Sequence, residues 1–432
     1  MSRFRAVLAA CVAAVAAPAF GASPDPKDLG VSPVELSRAR ELVRRLGGEV
    51  YREREEAQAD LAKMGRLGRQ AVAEGAAADP DPEVRLRCAR LLPRANADDL
   101  KARIDTFLAD KDGKFEHDLP GLKTFRKGVG ADDKARALYV EVLKSPYNLE
   151  LLAATDRGPA EGGRAVADRR NAMWNDMQNR LVAPGSQAFV QKQPTLADIA
   201  ALLFAESLVA SENIPKAGVW QWVNGAQFIQ QSASAAALNP GGAHGDAYKV
   251  IVGRWLGTRT DPTEMANLAH QLSTPPLKNF KEALPLLRRI VLTDGVAGYA
   301  RGQALTALVQ QRGKEEVPFL KSLMGNDTML QQVWFQRGNN GQAEMHSCLM
   351  KDAALAYLIS LSGGKITDFA FETPQGQFNN LGQPVFGQYA FTSDERRATG
   401  FMKYGWKQLK DGLDPPKETP KEGPKTGPVP PK

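Results

Sequence analysis

The sequence predicts an all-α protein, an α-solenoid of stacked helix pairs interrupted by long irregular loops. Three observations predict it. The first is a clearly marked helix start within residues 79–92. Asp81 can cap the free N–H groups of the first turn, and Pro82 occupies the first helical position, where its missing donor costs nothing. Val84, Cys88, Leu91 and Leu92 then form one apolar stripe at helical spacing. The second observation is recurrence. Arg54-Ala57-Leu61, Arg85-Cys88-Leu92 and Arg301-Ala304-Leu308 share one cation–small–leucine spacing. Lys351-Ala354-Leu358 repeats it with lysine, and Arg136-Tyr139-Leu143 repeats it loosely. Self-similarity of this kind marks stacked helical units, none of which can bury its apolar face alone. The third is composition. Hydrophobic content is 43% but aromatic content only 7%, with many alanines and leucines, which suits helices packed through small residues.

Taken in order, residues 1–22 read as a cleavable export signal. Arg3 and Arg5 supply the positive start and residues 6–20 a short apolar run. Small residues follow, with Ala17-Pro18-Ala19 or Ala19-Phe20-Gly21 acceptable at the cleavage site. Too little apolar core precedes Cys11 for a lipid anchor there, and no segment is suited to crossing a membrane. The protein is therefore expected in the periplasm or outside the cell.

An N-terminal repeat block follows at residues 32–145. Residues 33–46 form a helix with Ser32 as cap, Gly47-Gly48 as stop, and Leu36, Ala39, Leu42, Val43 and Leu46 on the buried face. Further helices are expected at 51–64, closed by Gly65, and at 67–78, 82–92, 98–108 and 132–143. Residues 111–130 read as a polar loop with a short helical piece at 122–125.

The middle region, 157–275, is less regular. Helices are expected at 166–181, 195–210, 218–231, 248–256 and 262–272, with a loop at 232–246. A second repeat block covers 280–410. It holds helices at 280–293, 300–311, 317–324 and 347–361, and a Gln/Gly/Asn loop at 331–342. A long loop at 367–391, with a short hairpin around Gly382, leads to a final helix at 393–409. That helix is expected to turn Ala398, Phe401, Met402, Trp406 and Leu409 inward. Residues 411–432 are a Pro/Lys tail that cannot bury apolar surface and reads as disordered or polyproline-like.

Asp81, Val84, Arg85, Cys88, Ala89 and Leu92, preceded by the 67–78 helix, resemble the HEAT repeat. The resemblance implies paired antiparallel helices in an armadillo-type superhelix, with a turn aspartate and a second-helix arginine forming a ladder between repeats. Asp81 and Arg85 would fill those roles, and Arg54, Arg301 and Lys351 match the cation position. The arrangement of leader, degenerate repeats and tail is similar to bacterial envelope proteins of the HEAT-repeat type, a likeness that carries no activity with it.

The chemistry-bearing residues are sparse. His117, His244, His270 and His346 lack metal-ligand spacing, and no P-loop, dinucleotide fingerprint or nucleophile elbow is present. Glu344, His346 and Cys348 could gather on one short segment, but a polar loop entering a helix is the simpler reading. His244 and Asp246 lie in a glycine-rich turn, and Glu116-His117-Asp118 reads as a solvated turn. We expect no cofactor and no metal. The net charge of +7 is spread over 56 basic and 49 acidic residues, with no basic block that would imply nucleic-acid binding. Cys88 and Cys348 read as buried free thiols. Trp220, Trp222 and Phe228 in the middle region, and Phe378, Phe386 and Tyr389 in the 367–391 loop, are candidate binding aromatics. The expected function is a non-catalytic scaffold that binds another protein along its repeat surface. The alternative is an envelope hydrolase or lyase with its site in the middle region or the 367–391 loop.

Overall fold

The computed structural model describes residues 24–182, 189–215, 224–278, 280–337, 342–373 and 386–413. The leader with Cys11, the candidate aromatics Trp220, Trp222 and Phe378, the hairpin around Gly382 and the tail beyond 413 lie outside them. The chain divides into two compact units, Met1–Arg136 and Ala137–Lys432. The described residues are mainly helical, and their sheets are two antiparallel two-stranded ribbons.

In the first unit, α1 (Pro33–Arg45), α2 (Tyr51–Met64), α3 (Arg69–Ala78) and α4 (Pro82–Ala109) pack on one another, followed by α5 (Leu122–Gly128) and the first turn of α6 (Asp133–Leu143). The start of α1 follows from local chemistry: Ser32 and Glu35 form a reciprocal capping box ahead of Pro33. The core joins Ala39, Leu42 and Val43 of α1 to Leu61, Val72, Val84 and Cys88. Gly75 makes this contact close, because a Cβ there would meet Cys88 Sγ and Val43 Cγ1 at 2.9 Å. The helices expected at 82–92 and 98–108 are one continuous helix. Pro93 sits exposed inside α4, so its missing hydrogen bond falls on the solvent side, where water serves the freed carbonyl.

The second unit continues with α7 (Pro146–Arg157), α8 (Pro159–Gln178), β1 (Arg180–Val182), β2 (Phe189–Gln191), α9 (Leu196–Leu208), α10 (Ala226–Ile229), α11 (Ser232–Leu238), α12 (Gly245–Gly257) and α13 (Pro262–Gln271). It ends with α14 (Leu284–Leu292), α15 (Gly298–Arg312), α16 (Val317–Ser322), β3 (Met329–Arg337), β4 (Gln342–Leu349), α17 (Met350–Leu361) and α18 (Asp394–Leu413). Several expectations are corrected here. α7 and α11 replace chain read as connection or loop. The 166–181 helix gives way at its end to β1. The expected loop at 331–342 falls largely within the β3–β4 hairpin, in which Trp334 pairs with Met345 and Val333 with His346. Its period is two: Val333 and Phe335 are buried while Trp334 is exposed. The 347–361 helix therefore begins only at Met350. In α18, Ala398 and Met402 are exposed, and Gly400 and Tyr404 face inward instead.

The recurring cation has a common partner. Arg54 donates to the carbonyls of Gly48 and Glu49 at 2.8 and 3.0 Å, and Arg85 to those of Asp79 and Pro80 at 2.6 and 3.0 Å. Arg136 donates to the Phe107 carbonyl, and Arg301 Nε to that of Val291 at 2.8 Å. Each of these oxygens lies at or just past the end of a preceding helix, where carbonyls have no intrahelical donor. The expected Asp81–Arg85 ladder thus takes another form. Asp81 caps its own helix through Glu83 N–H at 2.8 Å, and Arg85 binds main-chain oxygens. Lys351 differs: it pairs with the carboxylate of Asp327.

Truncating a buried stitch leaves a buried carbonyl unpaired. Arg301→Ala is expected to lower unfolding stability by about 1.5–3 kcal/mol, whereas the partly exposed Arg85→Ala costs about 1 kcal/mol or less. Urea unfolding of the two variants beside the parent chain checks the order.

Candidate functional site

Two adjoining clefts in the second unit form the site, about 510 and 630 Å3 in volume. They share Tyr147, Arg169, Asp176 and Lys192. Each position follows from its element. Pro146 starts α7 and leaves Tyr147 in the first turn, 67% exposed. Arg169 projects from α8, and its guanidinium lies 5.3 Å from the centre of the Tyr147 ring. At the start of α9, Thr195 and Asp198 form a capping box. Asp198 uses its other oxygen to bind Arg169 at 2.6 Å, and Asn148 of α7 accepts from Arg169 at 3.2 Å. One arginine thereby ties α7, α8 and α9 at the point where the clefts meet.

Most charges along the walls are paired. Lys192 reaches Asp176 at 2.7 Å, which raises the lysine pKa. Arg157 binds Glu150 at 2.8 Å and Glu161 at 2.5 Å, and these bonds raise the pKa of the arginine. The surface therefore offers alternating positive and negative groups around one exposed aromatic. His244 closes the end of the first cleft with a left-handed backbone, φ 53°, as the residue before α12. That conformation is uncommon outside glycine and sets the turn that launches the helix.

Beneath the clefts lies a buried charge cluster. Arg170, next to Arg169 on α8, reaches Glu206 of α9 at 3.4 Å. Trp255 Nε1 of α12 donates to the other Glu206 oxygen at 2.8 Å. Arg259 Nη1 stands 3.5 Å from Glu206 and 3.4 Å from Glu264 of α13. Gly225 lies against this cluster, since a Cβ there would meet a Glu206 oxygen at 2.6 Å.

The residues singled out from sequence are placed elsewhere. Phe228 and Tyr389 are fully buried and belong to the core, so they are corrected as binding candidates. Tyr389 meets Phe371 edge-on at 5.7 Å. Phe386 packs on Gly302, where a Cβ would meet its ring at 1.9 Å, and lies 5.9 Å from Tyr299. His117 is not in a solvated turn. Its ring is buried, bound to Asp110 at 3.0 Å and edge-on to Phe107 at 5.4 Å. Asp110 is a buried turn anchor: burial pushes its pKa up, but His117 and the N–H groups of Phe115 and Lys114 outweigh this and hold it below the usual carboxylate value. His270 is exposed, and His346 on β4 lies 3.4 Å from Glu344 and against Phe335. No cluster of three or more metal-ligating side chains occurs among the described residues. Sequence reading missed Tyr147, Arg169, Asp176, Lys192 and Asp198. The one local signal was Ser145-Pro146, which reads equally well as the start of a new helix as it does as the end of an old one.

Comparison with family models, curated proteins and solved structures returns no match. No described helix is long and apolar enough to cross a membrane.

Both described thiols are free and buried. Burial pushes the Cys88 thiol up to about 11 and raises that of Cys348 as well. The thiolate is the reactive form. Cys88 and Cys348 are accordingly expected to resist a thiol reagent such as Ellman's reagent at neutral pH in the native state and to react when urea is added. Fast native labelling of either would contradict the packing.

Proposed function

We propose that the protein is a non-catalytic scaffold of HEAT-like helix pairs, exported to the periplasm or beyond, that binds an extended segment of another protein in the twin cleft at Tyr147. The observation that carries this reading is the cleft pair itself: two adjoining volumes of about 510 and 630 Å3 joined under one exposed tyrosine, with mostly paired charges on the walls. Each is large enough for a small ligand. Together they suit an extended chain that lays successive side chains into them. The charge balance favours a polypeptide over a polyanion, because Arg157, Arg169 and Lys192 along the walls already face carboxylates. Tyrosine suits such a role, since it offers a large amphipathic face at low entropic cost. The solenoid reading draws support from the arginine-to-carbonyl stitches, which recur at the cation positions that define the repeat.

A photo-crosslinking residue placed at Tyr147 in the intact protein should trap a polypeptide from envelope extract. The purified partner should lose affinity about tenfold or more with Tyr147→Ala, in line with the effect of an aromatic anchor. Tyr51→Ala, which changes an exposed tyrosine in the first unit, should leave affinity unchanged. Equal affinity of Tyr147→Ala and parent protein would sink the assignment.

A further inference from the structure

We propose that Glu264 is a proton-operated lock on the α8–α9–α12 joint that carries the cleft, so that the joint tightens as pH falls and loosens as it rises. The lock stands on its own geometry. Only its consequence for binding rests on the cleft reading.

The two buried carboxylates of the cluster are served unequally. Glu206 receives Trp255 Nε1 at 2.8 Å and faces Arg170 at 3.4 Å and Arg259 at 3.5 Å. Glu264 has one cation at ion-pair distance, Arg259 at 3.4 Å, and its Oε1 is buried with no hydrogen-bond partner among the described residues. Arg259 Nη1 therefore stands almost evenly between two acids. The rest of that guanidinium is fixed: Nε donates to the Trp255 carbonyl at 3.1 Å, and Nη2 donates to the Glu206 carbonyl at 3.1 Å and to Thr258 Oγ1 at 2.9 Å. An ionised Glu264 competes for Nη1 and leaves a buried anionic oxygen bare, which is costly in a low-dielectric interior. A proton on Glu264 removes the competition and gives Nη1 to Glu206.

Among the described residues, the neighbouring elements bring several charged groups toward Glu264. Arg259 follows α12, Glu206 comes from α9 and Arg170 from α8. From α14, Arg289 turns away to the carbonyls of Gly257 and Arg259, and Arg288 binds Glu316. From α15, Arg301 turns to the Val291 carbonyl and faces Asp294 at 3.7 Å. The segment α10 (Ala226–Ile229) carries no charged residue, and His270 at the far end of α13 is exposed. Burial pushes the Glu264 carboxyl up to about 7, against the pull of Arg259. A carboxyl raised in the folded state binds its proton more tightly there than in the unfolded chain. It therefore contributes stability in full below the ordinary value of 4.5 and loses it as pH rises through about 7.

The effect has a path to the cleft. Glu206 holds Arg170, and Arg170 is the chain neighbour of Arg169, which lines both clefts and binds Asp198 eight residues before Glu206 on α9.

The test uses the full chain without a partner. Urea midpoints are measured at about pH 5.5 and about pH 8.5 for the parent and Glu264→Gln, together with native-state amide exchange over α9, corrected for intrinsic rates. The parent is expected to unfold at higher urea, and to protect α9 more, at the lower pH. In Glu264→Gln the cluster's contribution to that difference disappears, and α9 is protected at the higher pH as it is in the parent at the lower one. An unchanged pH dependence in Glu264→Gln, or none in the parent, overturns the proposal. If Glu264→Gln does not fold, infrared spectroscopy of the parent decides: a protonated-carboxyl band that grows as pH falls through about 7 supports the lock, and its absence until the ordinary carboxylate range overturns it. None of these readouts depends on a bound segment, so failure of the cleft reading and failure of the lock are separate results.

Discussion

The structure depends on arginine side chains donating to main-chain carbonyls at the ends of helices. Packing many short helices creates many C-terminal carbonyls that lack intrahelical donors and carry the negative end of the helix dipole. A buried carbonyl left this way is costly. An arginine one turn into a later helix brings a rigid fork of donors and a charge that burial does not remove. Burial pulls the pKa of Arg136 and Arg301 down, yet arginine starts so high that both keep their proton. Arg259 and Arg289 extend the theme in the middle of the chain, binding the carbonyls of Glu206 and Gly257 at the ends of α9 and α12. The same chemistry operates inside each of the two units.

What the sequence made legible was local. The Ser32 cap, Pro82 after Asp81 and the apolar stripe from Val84 to Cys88 depend on neighbours within a turn or two, and the structure forms them. The cation spacing was also legible, but its partner was not. A carboxylate was expected for Arg85, and the acceptors are two carbonyls, because a backbone oxygen leaves no trace in the residue string. The β3–β4 hairpin was passed over for its Gln and Asn content, although the alternation of Val333, Trp334 and Phe335 carries the strand period. His117 looked solvated beside Glu116 and Asp118, and only the return of the chain onto Asp110 and Phe107 shows it buried.

The cleft was invisible for a related reason. Its residues come from α6, α7, α8, the segment after β2, the start of α9 and His244, stretches that lie far apart in the sequence. Tyr147 carries no sequence signature beyond being a tyrosine near a helix start. What distinguishes it is the meeting of three helices at Arg169, an arrangement set by packing. The same two neighbouring arginines, 169 and 170, link that surface to the buried acids below. The cleft and the charge cluster are thus two sides of one joint.

The most direct measurement of the arginine stitches is hydrogen exchange of the guanidinium protons, followed by NMR on arginine-labelled protein. Arg136, Arg259 and Arg301, which bind carbonyls inside the fold, should exchange far more slowly than the exposed Arg38, Arg52 and Arg90. Uniformly fast exchange across all six would contradict the account.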